Sequence, residues 1–325
     1  MGALLTRLMR GSLDQVRHVT PVRPDAAPDL VARVYAQMTR DFGMLAPPVA
    51  LHSPAPACLA ACWLMLRESL LAGGRAGRRA REAVAVRVSA ANACPYCVDV
   101  HRATLRGLGG SDPAREAPPA ASPGAGFGEE LAGVATTFEY LNRMVNVFLG
   151  ASPLPPQVPA RARGAVLRLF SLIMGLPARR SVAPGDSLDL LPEAPLPGDL
   201  HWAAGSPHLA GAFGRAAAAI EAAGRRSVPG PVRELVTERL GSWDGAAPGP
   251  SRAWAAEAVA GLPRADRHAG RLALLTALAS YQVDGQVIEE FRRDVPGDRE
   301  LIELTAWASM AAARRVGARS PYALR

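Results

Sequence analysis

The sequence predicts an all-α chain. Segments of helical apolar spacing recur along it, several open on a Pro at a helix's first position, as at Ser53-Pro54, Cys94-Pro95 and Ser206-Pro207, and alanine fills much of them. Residues 1–43 suggest two short helices, Leu4 to Val16 and Asp29 to Phe42, separated by Thr20-Pro21-Val22-Arg23-Pro24 and Pro28, and read as an N-terminal arm. Ser53-Pro54 opens an apolar helix to about Leu71 with Trp63, Leu64 and Leu70 as core candidates, and Gly73-Gly74 ends it. Arg81 to Ala91 reads as a helix of Ala and Val stopped by Asn92, and Pro95 starts another that runs to Leu108. Gly109 to Gly128 is rich in Pro, Ala, Gly and Ser, so it reads as a long loop and a candidate lid.

Residues 129–149 regain helical periodicity through Phe138, Leu141, Val145 and Phe148, with Asn142-Arg143 inside. Pro-rich stretches, Ser152 to Pro159 and Ala183 to Pro197, flank a short helix, Arg161 to Met174, and make residues 151–204 a connection between units 44–150 and 205–325. The second unit echoes the first in order. Ser206-Pro207 follows the pattern of Ser53-Pro54, Arg233-Glu234 that of Arg81-Glu82, and Arg314-x-Val that of Arg143-x-Val. A tandem repeat is therefore expected, its second copy degenerate, because Ser242 to Ser251 holds neither thiol nor imidazole where the first unit has Cys-Pro-Tyr-Cys.

Composition narrows the function. The 325 residues suffice for a core without staples, and four cysteines are too few for a secreted disulfide scaffold, so a reducing cytoplasm is expected. The first 17 residues show no signal-peptide pattern, and the densest apolar run, Ala57 to Leu66, is far shorter than the roughly 20 residues of a membrane span. The net charge of +8 comes from arginine alone, with no lysine in the chain. Its sharpest run, Arg75, Arg78, Arg79 and Arg81, lacks interleaved aromatics and reads as a solvated helix start rather than a nucleic-acid surface. Without a Gly-x-Gly-x-x-Gly after a strand pattern, no flavin or nicotinamide cofactor is expected.

The chemistry concentrates between Glu82 and His101. Cys94 is placed as a helix N-cap, Cys97 one turn inside, and His101 four residues later on the same face. Two cysteines so spaced have Cα atoms roughly 5 to 6 Å apart, within disulfide reach. A helix N-terminus and a neighbouring imidazole both lower a thiol's pKa, which predicts a nucleophile near neutral pH. If the preceding helix packs against the next, Glu82 can orient His101, and His101 can take the thiol proton.

Glu-x11-Cys-x2-Cys-x3-His, here Glu82, Cys94, Cys97 and His101, resembles the signature of the alkylhydroperoxidase D-like branch of the carboxymuconolactone decarboxylase family. The resemblance implies an all-α fold and a thiol peroxidase or disulfide reductase. In it Cys97 attacks the peroxide, Cys94 resolves the sulfenic acid, and Glu82 with His101 relays protons. Family members are usually small chains that form oligomers, so a fused pair would build a dimer within one chain. The reductant would be another protein or a small thiol. The chain departs from the alkylhydroperoxidase at Tyr96, where that enzyme carries a histidine; Tyr96 could line the pocket, donate to a peroxide oxygen, or only pack. Decarboxylating members lack the cysteine pair.

Other readings stay open on the residues alone. The pair could be half a zinc site completed by Cys58 and Cys62, or two buried inert thiols; Cys58 and Cys62 themselves read as packing residues. Glu82 could merely pair with Arg78, and His101 could be a core histidine. A non-redox enzyme using Glu82 and His101 on a small carbon acid, or a binding scaffold without turnover, would share the fold.

Overall fold

The computed structural model describes residues 13–110, 126–154, 158–319 and 322. Among them the regular elements are helices, and a single β-bridge joins Ala72 to Val182. Most of the expected helix Leu4 to Val16, and the candidate lid from 111 to 125, lie outside the described residues.

Helix α1 (Asp29–Asp41) leads into α2 (Pro56–Leu66), whose sequence is apolar all round and whose residues from Cys58 on are all buried. A helix without a polar face belongs in the middle of a protein. It starts at Pro56 rather than Pro54, because Ser53 is engaged in the turn before it, where its Oγ accepts the Val22 N–H at 2.8 Å. It also ends differently from expectation, widening into a π-turn over Arg67–Leu71. That turn carries two buried charges. Arg67 is paired with Asp41 at 2.7 Å and Glu68 at 2.6 Å, while Glu68 accepts from the Gly185 N–H and the Ser187 hydroxyl. The pair therefore pins the 183–187 segment to the core.

Helices α3 (Arg78–Ala91) and α4 (Pro95–Gly107) form the hairpin that carries the motif, and α5 (Phe127–Phe148) packs across it. The expected connection helix is longer than its sequence suggested, α6 (Ala160–Ala178), with Pro177 tolerated in its last turn. It is no mere spacer. It packs along α4 so closely that a Cβ on Gly175 would lie 2.8 Å from the Gly107 carbonyl oxygen, which only glycine at the crossing allows.

The second half contains α7 (Pro207–Ser227), α8 (Gly230–Ser242), α9 (Arg267–Ala279), α10 (Gly285–Asp294) and α11 (Asp298–Gly317). Helix α2 packs along α7, and α5 along α11, so one apolar core runs through both halves. Glu234, the counterpart of Glu82 in the sequence echo, is exposed on α8. No helix among the described residues is long and apolar enough to cross a membrane.

One core histidine gives the fold a pH dependence. His52 is fully buried, its Nδ1–H donates to the Val49 carbonyl at 3.0 Å, and its Nε2 accepts the Tyr140 hydroxyl at 2.9 Å. A carbonyl only accepts, so the ring is the neutral Nδ1–H tautomer, and burial lowers its pKa from 6.5 to about 4. The unfolded chain thus binds this proton first. Stability from the neutral ring is present above about pH 6.5 and is lost as pH falls toward 4, by about 3 kcal/mol in all. Urea midpoints at about pH 7 and pH 5 are expected to differ less in His52→Gln than in the wild type; equal differences would remove His52 as the cause.

Candidate active site

The turn between α3 and α4 sets the site. Helix α3 ends in a Schellman arrangement, with the Ala93 N–H on the Ala90 carbonyl and the Cys94 N–H on the Ser89 carbonyl at 2.9 Å. The residue that takes the left-handed conformation is Ala93, at φ 49°, and not the expected stop residue Asn92, whose φ is −84°. An L-residue there costs about 1 kcal/mol. Asn92 is held as the C-cap by other bonds, for its side chain and carbonyl both engage α5. The turn delivers Cys94 directly to the N-cap of α4, with Pro95 as its first residue.

Glu82, on α3, is fully buried and makes both bonds that the sequence left as alternatives. Its Oε1 accepts Arg78 Nε and its Oε2 accepts His101 Nδ1, each at 2.7 Å. Burial pushes its carboxyl up, but the charges and hydrogen bonds of Arg78 and His101 outweigh this and hold it below its ordinary value. Glu82 is thus an anion. Facing a carboxylate, Nδ1 carries the imidazole proton and leaves Nε2 to accept or release another. The Phe138 ring meets the imidazole edge to face at 4.6 Å and fixes its plane.

The thiols are more enclosed than expected. Cys94 is 1% and Cys97 2% exposed, and both are free thiols. Burial pushes the Cys97 thiol well up, and the neighbouring Cys94 thiol pushes it the same way. This corrects the expectation of a thiol depressed by the helix N-terminus: removing water from a thiolate costs more here than the helix end and the imidazole return. A proton acceptor must act as the thiolate forms.

Beside the motif lies a cavity of about 90 Å³, walled largely by Phe42, Met44, Leu66, Leu70, Leu141 and Met174. His101 and Tyr96 are among its few polar linings, and the two buried cysteines flank Tyr96 in the sequence without lining it themselves. The Tyr96 hydroxyl donates to Gln15 Oε1 at 3.3 Å, and burial pushes its pKa up, helped by the neighbouring thiols. So the structure joins Glu82 to His101 and Cys94 to Cys97, and places Tyr96 with His101 on the cavity.

Several participants escaped the sequence reading. Gln15 comes from the N-terminal arm and Met174 from the connection helix, and nothing local marks either as a neighbour of the site. Asn142 left a signal, since Asn142-Arg143 puts two polar residues between the apolar Leu141 and Met144. The arginine run is only partly a solvated face: Arg75 and Arg79 are exposed, but Arg81 is buried and paired with Glu130 at 2.8 Å while Arg78 serves Glu82. Cys58 and Cys62 are fully buried in α2, and burial raises the Cys58 thiol to about 12 and that of Cys62 further. Among the described residues no three His, Cys, Asp or Glu side chains gather into a metal-binding set.

Two comparisons bear on this geometry. The profile of the carboxymuconolactone decarboxylase family matches residues 59–137, the span that holds Glu82, Cys94, Cys97 and His101. The alkyl hydroperoxide reductase Rv2159c of Mycobacterium tuberculosis (strain ATCC 25618 / H37Rv) is 37% identical over 329 residues, which cover 93% of this chain and 94% of that protein. No solved structure matches the chain.

Proposed function

Because the chain belongs to the carboxymuconolactone decarboxylase family, in its alkylhydroperoxidase D-like branch, we propose that it is a thiol-dependent peroxidase acting on organic hydroperoxides. The observation that carries this reading is the buried Glu82–His101 pair at 2.7 Å, one helical turn from the buried Cys97, with the buried Cys94 a further turn back at the helix N-cap. The name of the Mycobacterium tuberculosis relative supports the same reaction.

In this reading His101 Nε2 accepts the Cys97 proton, and the thiolate attacks a peroxide oxygen. An S–O bond forms as the O–O bond breaks, and His101 returns the proton to the departing alkoxide, giving an alcohol and a Cys97 sulfenic acid. Cys94 then attacks the Cys97 sulfur. The S–S bond forms, the S–O bond breaks, and the Cys94 proton leaves with hydroxide as water. An external dithiol, protein or small molecule, restores both thiols with two electrons, a cycle that suits a reducing cytoplasm. Glu82 stabilises the imidazolium formed between the steps. The apolar cavity beside His101 and Tyr96 supports an organic rather than an ionic substrate. The second half, read as a repeat without thiols, would serve as a wall: the Ala277 carbonyl and Ser280 hydroxyl receive Arg143 and Asn146 from α5.

Reduced protein given one equivalent of cumene hydroperoxide is expected to form a Cys94–Cys97 disulfide, seen by peptide mass spectrometry, and to turn over when dithiothreitol is added. No disulfide and no peroxide loss would defeat the proposal. Activity on a small carbon acid that survives loss of both cysteines would replace it with the non-redox reading.

A further inference from the structure

We propose that the chain binds a small aromatic oxyanion, an aryl carboxylate or phosphate, in a second cavity walled by Arg87, Arg315, Arg319, Trp243 and Tyr322. The inference goes beyond the thiol-peroxidase reading and does not rest on it.

This cavity, of about 370 Å³, lies where α3, α5, the end of α11 and the loop after α8 meet. Its volume falls within the roughly 300 to 1,000 Å³ of small-molecule sites. Among the described residues it shares no lining with the cavity beside His101. Helix geometry separates the two as well. Steps of about 100° per residue put Glu82, Ala85 and Ser89 on one buried face of α3 and Val88 and Ala91 on the other, so the helix stands between this cavity and the relay.

The charge of the wall is one-sided. Three arginines line it against two acids, and both acids are engaged: Glu139 pairs with Arg143 at 2.6 Å, and Asp244 Oδ1 accepts the Ala246 N–H at 2.8 Å. Arg315 Nη2 donates to the Gly241 carbonyl, and Arg319 Nη1 to the Trp243 carbonyl at 2.8 Å. A carbonyl is neutral, so these bonds fix both forks and leave their charges uncancelled. Arg315 Nε is moreover buried, with no partner for its hydrogen among the described residues. An unpaired buried donor is destabilising, and an oxyanion accepting from the fork would satisfy it. Arg315 also borders another cavity, of about 380 Å³. There, however, Arg314 is held by both oxygens of Asp199, at 2.6 and 2.7 Å, and Glu221 adds a negative charge, so an anion is favoured on the Arg87 and Arg319 side.

The rest of the wall suits an aromatic body. Trp243 donates its Nε1–H to the Ala246 carbonyl at 2.7 Å, and its ring centroid lies 5.9 Å from the Arg143 guanidinium, so the indole is held in place. Tyr322 supplies a second ring, and Val88, Ala91, Ala135 and Val316 supply apolar surface. Trp243 belongs to the stretch Ser242 to Ser251, which carries no thiol and here serves as a binding wall.

The test titrates the full chain by calorimetry with 1-naphthylacetate, 1-naphthyl phosphate and the neutral 1-naphthylacetamide. Saturable one-to-one binding of at least one acid is expected, and the tighter of the two identifies the head group. Its affinity should fall about tenfold in Arg315→Met and again in Arg319→Met, a residue that lines this cavity and not its neighbour, and the amide should bind about tenfold more weakly than the acid. No binding of either acid, an amide as tight as the acid, or an affinity unmoved by the arginine changes would each overturn the inference. Should Arg315→Met fail to fold, Arg319→Met, on the exposed rim, decides alone. No thiol takes part in the readout, so it stands whether or not the protein forms a disulfide with hydroperoxide.

Discussion

Hydroperoxide turnover is expected to fall to the uncatalysed rate in Cys97→Ser, whereas Cys94→Ser should complete one attack and stop. The asymmetry follows from the order of steps. Cys97 lies inside α4, one turn from His101, while Cys94 is the N-cap residue at the helix mouth. Only the inner sulfur has a base one helical turn away on its own helix. Without Cys97 no S–O bond forms. Without Cys94 the sulfenic acid has no adjacent thiol, and it is expected to persist long enough to be labelled by dimedone and located at Cys97 by mass spectrometry. Cys58 and Cys62 do not complicate the result, because burial keeps both as thiols at neutral pH. Labelling at Cys94 in the Cys97→Ser protein, with turnover retained, would reverse the two assignments.

The same spacing shows how far the residues alone could lead. Pro at a helix start and apolar periodicity are local signals, so α1, α2, α5 and the hairpin α3–α4 were legible to within a few residues. The pairing of Glu82 with His101 was legible too, because the fixed distance from Glu82 to the Cys-Pro turn sets both helices' registers. What depends on water and on distant chain was not. The helix end and imidazole near Cys97 argue for a depressed thiol, and only the three-dimensional burial of both sulfurs reverses the sign. Gln15 and Met174 reach the cavity from segments that carry no chemical motif, and α6 read as a connector because its contact with α4 is made by glycines, Gly107 and Gly175. Ala93 in the left-handed turn was unreadable for a related reason, since Asn92 beside it is the better intrinsic candidate and is withheld by its bonds to α5.

The Glu82→Gln variant is expected to lose both stability and catalysis, and the two losses separate with pH. Glutamine has the same shape but can accept from only one side, so its amide would meet either the Arg78 or the His101 donor with an N–H. Removing one partner of a buried ion pair costs up to about 3 to 5 kcal/mol. Arg78 can recover part of this by turning toward solvent, its side chain being 17% exposed, so a loss of about 2 to 3 kcal/mol in urea unfolding near neutral pH is expected. Because the folded carboxyl titrates below its ordinary value, its contribution is fully present above the unfolded value near 4.5 and disappears as pH falls through the lower folded one. The variant should therefore converge on the wild type in acid. Catalysis should fall by roughly 100-fold or more in kcat with little change in KM, since an imidazole without its carboxylate holds a proton less well between donor and acceptor. His101 Nδ1 would lose its anion, but the Phe138 contact and the cavity lining would remain, so substrate binding is not the step at risk. A variant that loses the stability and keeps kcat would reduce Glu82 to a structural counterion of Arg78, and the proton relay would then have to run through His101 alone.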